Sequence, residues 1–365
     1  MPIPLLDVVG MHKPIRDALL AKLTEVVDSG RYINGPYVEQ FERDLAAYTG
    51  ATRAVGVSSG SDALIVALMA LDLKPGDEVI TSAFTLFATA GAIVRLGARP
   101  VFVDIDPITF NIDAGQIEGR ITGKTVGILP VHLFGQSAEM EKINAVAEAH
   151  DLWVLEDAAQ SIGARRNGAM SGAMGTAGTY SFFPAKNLGA MGDGGAVVTN
   201  DESLADKLVV LRNHGSEPKY YHSLVGGNFR LDAMQAALLS VKLPHLKGWE
   251  ATRRAAASAY TELLAGDDRF VTPVEADGNY HVFNQFELRV LGGKRDAAVA
   301  VLQEAEIGHA IYYPVPLHLQ ACFAGLGGKR GDLPVTEQAC EEVLALPILV
   351  TPETCKEVVA VLQTA

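Results

Sequence analysis

The chain has 365 residues, 48% of them apolar and 20% charged, with a formal net charge of −13 at pH 7. That length supports two or three domains, and the acidic balance disfavours nonspecific binding to nucleic acid or to anionic membrane surfaces. Three cysteines without tight spacing (Cys322, Cys340, Cys355) argue against a disulfide framework or a zinc site, and no metal centre is expected. No apolar run approaches the ~18 residues of a membrane span. The opening run Met1-Pro-Ile-Pro-Leu-Leu-Asp7 has no basic segment ahead of an apolar core, so a cytoplasmic location is expected.

Residues 15–30 carry Ile15, Leu19, Leu23, Val26 and Val27 at helical spacing and stop at Ser29-Gly30. Residues 37–48 read as a second helix. Residues 55–58 read as a short strand, after which Ser59-Gly-Ser-Asp62 opens an apolar helix ending near Leu71. Strands and helices then alternate: strand 78–81, helix 87–96, strands 100–105 and 125–131, helix 140–150, strands 152–156, 178–182 and 194–199, and helix 203–212. Strands apolar on both faces, alternating with helices, predict an α/β fold with a mostly parallel sheet covered on both sides. Ligands then sit beyond the carboxyl ends of the strands, where Ser58, Asp157 and Ser181 fall.

Residues 232–249 read as a long helix bent or broken at Pro244. Beyond about residue 250 the pattern changes. A helix over 251–264, a strand at 270–272, a half-exposed strand over 281–290, a helix over 295–305 and an extended run over 307–313 suggest a smaller α+β unit. The expected division is a large domain over 1–245 and a small C-terminal domain over 246–365. No internal repeat or low-complexity tract is visible.

The most informative residue is Lys186, set in Ser181-Phe-Phe-Pro-Ala-Lys-Asn187. Desolvation lowers a lysine pKa, and the neutral amine is the nucleophile that forms a Schiff base. The strand at 152–156 runs into Asp157, followed by Ala-Ala-Gln160. A lysine, an acid at a strand end and a Ser-Gly-Ser helix start together suit pyridoxal 5'-phosphate (PLP), which needs an amine for its aldehyde and an anion for its ring nitrogen. Gly60 and Ser61 at the helix start, with Ser181, would hold its phosphate. Gln160 would face the ring hydroxyl.

These motifs together resemble the DegT/DnrJ/EryC1/StrS family of sugar aminotransferases, fold-type I PLP enzymes. The resemblance covers nearly the whole chain. It rests on Gly35-Pro36, Ser59-Gly-Ser-Asp-Ala-Leu64, Gly76-Asp-Glu-Val-Ile80, Phe84-Thr-Leu-Phe-Ala-Thr89 and Glu156-Asp-Ala-Ala-Gln-Ser161, with the Lys186 motif. Further marks are Gly192-Asp-Gly-Gly195, Gly227-Asn-Phe-Arg-Leu-Asp232 and Tyr313-Pro-Val-Pro-Leu-His-Leu-Gln320.

The resemblance implies that Lys186 carries the cofactor and shuttles protons while Asp157 pairs with the ring nitrogen. It implies that Asn228 of a partner subunit completes the phosphate cup, and hence a homodimer with shared sites. Tyr32, Asn34, Arg230, Tyr312, Tyr313 and His318 match positions near the sugar-nucleotide pocket. Leu86 stands where the family usually stacks an aromatic ring on the cofactor, a departure that removes π-stacking and leaves dispersion.

The implied reaction moves an amino group from L-glutamate to a nucleotide-linked keto sugar, with pyridoxamine 5'-phosphate as the aminated cofactor. The segment 214–222 and the run after it look more like members that aminate 3-keto sugars than 4-keto sugars. A keto-cyclitol aminotransferase and a PLP-binding regulator are the alternatives. The nucleotide, the sugar and the pathway stay open, with O-antigen, capsule and antibiotic sugars as candidate destinations.

Overall fold

The computed structural model describes residues 2–365. Its centre is a seven-stranded sheet built from β1 (Arg53–Val57), β2 (Glu78–Ser82), β3 (Arg99–Val103), β4 (Thr125–Leu129), β5 (Trp153–Asp157), β6 (Ala177–Ser181) and β7 (Gly195–Thr199). The spatial order is β1-β7-β6-β5-β4-β2-β3. Strand β7 runs antiparallel to both neighbours and the other six run parallel to one another.

Alternation along the strands divides the core in two, because successive side chains leave opposite faces. Val79, Leu129, Leu155 and Val197 face the helices Gly60–Ala70, Phe87–Arg95 and Glu202–Arg212. On the other face, Ile80, Ile128 and Val154 pack on the helix Met140–Ala149. Farther along that face, Ala196, Val198 and Tyr180 pack on Pro36–Thr49 and Ala233–Lys242. The α/β architecture expected from the sequence is the one the chain forms.

Most of the predicted punctuation holds. The first long helix is Arg16–Ser29, and Gly30 ends it with φ 65° and ψ 12°, a left-handed conformation that glycine adopts without a Cβ clash. The helix Ala233–Lys242 gives way at Leu243–His245, around Pro244, before Leu246–Leu263 resumes. Leu246 and Trp249 pack with the large sheet, whereas Ala256, Ala257 and Tyr260 pack with a second core.

That second core covers a three-stranded antiparallel sheet, β8 (Phe270–Val271), β9 (Phe286–Val290) and β10 (Val343–Leu346), ordered β8-β9-β10. Two expectations change here. The half-exposed strand is shorter than predicted and nearly all buried, because it is the middle strand. The extended run at 307–313 joins no ladder and makes only single bridges, Ile3 with Ile307 and Ala310 with Ala345. A short ribbon pairs Asn279–Tyr280 with Arg165–Arg166, and that pair with Ala169–Met170.

Among the described residues no helix is long and apolar enough to cross a membrane. Among them too, no group of three or more His, Cys, Asp or Glu side chains could hold a metal ion.

Candidate active site

A cavity of about 360 Å³ opens at the carboxyl ends of the parallel strands. Ser59–Ser61 reach it after β1, Thr85 and Leu86 after β2, Val131 after β4, Asp157 at the end of β5 and Ser181 at the end of β6. Asn284, Gln285, Tyr312 and Tyr313 close it from the C-terminal part of the chain. Within one chain it brings together Gly60, Ser61, Leu86, Asp157, Gln160, Ser181, Lys186, Tyr312 and Tyr313.

Lys186 follows a turn in which its own N–H donates to the Phe183 carbonyl at 2.8 Å. Desolvation by burial lowers its pKa to about 8, against a smaller pull upward from the Asp157 charge.

Asp157 is 4% exposed. Thr89 Oγ1 donates to its Oδ2 at 2.8 Å and the Ala159 N–H to its Oδ1 at 3.2 Å. Burial pushes its carboxyl pKa up, while Thr89, Ala159 and the charge of Lys186 pull it back. Burial alone thus works against the anion, and the donors around it work for it.

The backbone fixes Asp157 as well. Its N–H donates to the Pro130 carbonyl at 2.9 Å, and its own carbonyl accepts from the His132 N–H at 3.0 Å.

The helix Gly60–Ala70 starts over the end of β6. Ser59 caps it, its hydroxyl accepting from the Asp62 N–H at 3.0 Å. A Cβ on residue 60 would come within 2.5 Å of the Ser181 Cβ, so only glycine lets this helix start lie against the strand end. The first intrahelical bond runs from the Ala63 N–H to Ser59 O, which leaves the Gly60 and Ser61 N–H groups at a positive helix terminus. An amine, a buried carboxylate and this anion cradle, set around one cavity, fit the aldehyde, ring nitrogen and phosphate of PLP.

Gln160 joins two walls: its Oε1 accepts from the Phe134 N–H at 2.7 Å and its Nε2 donates to the Tyr313 hydroxyl at 3.2 Å. Leu86 lies at the cavity, 49% exposed. The neighbouring aromatics point elsewhere. Phe84 is buried against Phe110, Phe134 and Tyr313, and Phe87 stacks on Phe323 at 5.5 Å.

Five of the residues singled out in the sequence do not line this cavity. Tyr32 is exposed, its hydroxyl donating to Val27 O at 3.3 Å, and Asn34 Nδ2 donates to Asn213 Oδ1 at 3.1 Å. Asn228 is exposed and bridges Asn213. Arg230 pairs with Val57 through the backbone, and its buried Nε has no partner. His318 sits in a separate cleft with Arg99 and Arg120, its Nε2 3.0 Å from Glu337 Oε1.

Thr85, Thr89 and Asp193 lie inside motifs quoted from the sequence but were given no role there, and Asn284 and Gln285 were not singled out. Of these Thr89 carried a signal, a hydroxyl inside an otherwise apolar helix turn.

Residues 14–363 match the model of the DegT/DnrJ/EryC1/StrS aminotransferase family. The chain is 54% identical over 359 residues to a Geobacillus stearothermophilus protein named pleiotropic regulatory protein, covering 98% of this chain and 95% of that one. It is 44% identical over 362 residues to the UDP-N-acetyl-3-dehydro-alpha-D-glucosamine 3-aminotransferase of Acidithiobacillus ferrooxidans, covering 99% and 96%. The crystal structure of S. venezuelae DesV in complex with a ketimine intermediate superposes with a TM-score of 0.96 at 41% identity, covering 100% of this chain and 98% of that one. The chain belongs to the DegT/DnrJ/EryC1/StrS aminotransferase family and is a PLP-dependent aminotransferase of fold type I.

Proposed function

We propose that this enzyme takes an amino group from L-glutamate and delivers it to carbon 3 of a nucleotide-linked keto sugar, making an amino sugar for a surface polysaccharide or related glycan. It works in the cytoplasm as a homodimer. The observation that carries the substrate reading is the end-to-end likeness, 44% over 99% of the chain, to an aminotransferase named for a 3-dehydro sugar nucleotide. The homodimer rests on the family resemblance, in which Asn228 of a partner subunit completes the phosphate cup; consistent with that, Asn228 lies outside the Lys186 cavity of its own chain.

Bound PLP supplies the electron sink that makes proton removal at the amino carbon feasible. The chain supplies the rest. Burial lowers the Lys186 pKa to about 8, so near neutral pH its Nζ can take a proton and its conjugate acid can return one. Asp157 would accept the ring N–H. The Gly60 and Ser61 N–H groups and the Ser181 hydroxyl would hold the phosphate. Arg230, with its planar fork of donors, would clamp a substrate phosphate or carboxylate.

The test is to load the protein with PLP, titrate it with L-glutamate, and follow the visible cofactor band against 2-oxoglutarate formed. The aminated enzyme is then offered 3-keto and 4-keto nucleotide sugars and a keto-cyclitol. Return of the band with a 3-keto sugar alone supports the proposal, and return with the 4-keto sugar or the cyclitol replaces it.

A second reading is a PLP-binding regulator, favoured by the name of the 54% identical relative. It predicts a band that persists in glutamate.

A further inference from the structure

Thr89 is fully buried in the helix Phe87–Arg95, between Ala88 and Ala90. Threonine is a poorer helix former than alanine, and a buried hydroxyl costs stability unless it is bonded. This one is bonded twice. Its Oγ1 lies 2.8 Å from Asp157 Oδ2 and 3.0 Å from Thr85 Oγ1. Thr85 is itself only 2% exposed and lines the cavity.

A hydroxyl has one proton to give. With Asp157 ionised, the carboxylate can only accept, so the Thr89 proton goes to it and Thr85 must donate to Thr89. The result is a directed chain, Thr85 to Thr89 to Asp157. It occupies Oδ2, while the Ala159 N–H, at 3.2 Å, holds Oδ1 from the backbone. Two fixed donors on two different oxygens remove the rotational freedom of the carboxylate. Each oxygen keeps a further lone pair for a third donor. Asp157 lines the cavity, so a donor in the cavity can reach it.

We propose that the Thr85–Thr89 hydroxyl chain is a positioning device that aims the Asp157 carboxylate at the ring nitrogen of bound PLP and commits it to accepting the N–H there. The inference rests on Asp157 as the partner of that nitrogen. Neither threonine reacts. Both act through Asp157, and their effect is confined to cofactors that carry a protonated ring nitrogen. Such confinement separates positioning from a general packing role.

The experiment measures dissociation constants of the apoprotein for PLP and for its carbocyclic analogue, in which the ring nitrogen is replaced by CH. The proteins are the wild type, Thr89→Val, Thr89→Ser, Thr85→Val and Asp157→Asn. A hydrogen bond to a charged group supports about a tenfold effect. Thr89→Val, nearly isosteric, is expected to weaken PLP about tenfold and leave the analogue within about twofold. Thr89→Ser, which keeps the hydroxyl, should restore PLP binding, and Thr85→Val should show a smaller loss with the same selectivity.

Equal loss for both ligands in Thr89→Val, or no loss for either, overturns the proposal. The underlying reading is tested separately, because the wild type should prefer PLP to the analogue and Asp157→Asn should erase the preference. A wild type without preference would sink the role of Asp157. A preference undiminished in Thr89→Val would sink only the role of the threonines.

Discussion

Glu156 accepts the Nε2 hydrogen of His132 at 2.7 Å, and neither side chain is exposed to solvent. The donor is assigned by the other ring nitrogen: His132 Nδ1 accepts from the Ala138 N–H at 3.1 Å, so Nε2 carries the proton. Glu156 also accepts from the N–H groups of Gly172, Met174 and Gly175 at 2.8, 2.7 and 2.6 Å. Four donors therefore surround a fully buried carboxylate one residue before Asp157. The arrangement ties the 171–175 turn and the loop after β4 to the end of β5. Glu156→Gln would point an N–H₂ at two of these donors, since each oxygen accepts from two. A buried donor left without its acceptor costs about 1–3 kcal/mol, so a clear fall in the urea unfolding midpoint of the apoprotein is expected. An unchanged midpoint would mean that neutral acceptors suffice here.

The pH dependence of PLP attachment follows from Lys186. Burial lowers its pKa to about 8 in the folded chain, and the attacking species is the neutral amine. The rate of Schiff-base formation by the apoprotein should therefore rise as pH increases and level off above about 8. An ordinary lysine would keep rising toward ~10.4. Stopped-flow absorbance between pH 6 and 10 reads this directly. Lys186→Ala should show no attachment phase at any pH and should lose PLP on gel filtration.

The strand ends, the break at Pro244 and the stop at Gly30 were legible because each has a local cause: apolar runs ended by polar residues, a missing N–H, a missing Cβ. Strand β10 was not. Its residues Val343–Leu346 follow the helix Pro334–Glu342 with no intervening breaker, and only pairing with β9 makes them a strand. The central place of β9 was hidden for the same reason.

In the site, Lys186, Asp157 and Ser181 announced themselves by position relative to strand ends. Thr89 showed only as a hydroxyl in an apolar helix turn, and its purpose was hidden because the residue that gives it one lies 68 positions away. Tyr32, Asn34, Asn228, Arg230 and His318 came from resemblance alone, and none of them lines the Lys186 cavity of its own chain.

Leu86 offers a gain-of-binding test. It lies at the cavity with no ring in its place, and Phe84 and Phe87 are engaged with other aromatics. Offset stacking is worth about 0.5–1.5 kcal/mol beyond area burial. Leu86→Tyr should therefore slow the loss of pyridoxamine 5'-phosphate during dialysis by up to about tenfold. Leu86→Ala should speed it, since it removes the dispersion contact. Equal retention in all three proteins would place the ring beyond reach of residue 86.

Asn228 tests whether sites are shared. It is exposed on its own chain and absent from the Lys186 cavity there. If a second copy supplies it, Asn228→Ala weakens PLP retention, and mixed dimers complement. A dimer of one Lys186→Ala chain and one Asn228→Ala chain has one site with both defects and one with neither. Random exchange of the two proteins in equal amounts makes about half the dimers mixed, so about a quarter of all sites should retain PLP as tightly as wild type. PLP-to-protein stoichiometry after exhaustive gel filtration counts them. Recovery near that fraction requires a site built from two chains. No recovery, in a mixture shown to exchange subunits, means that each chain holds its cofactor alone and that Asn228 has another task.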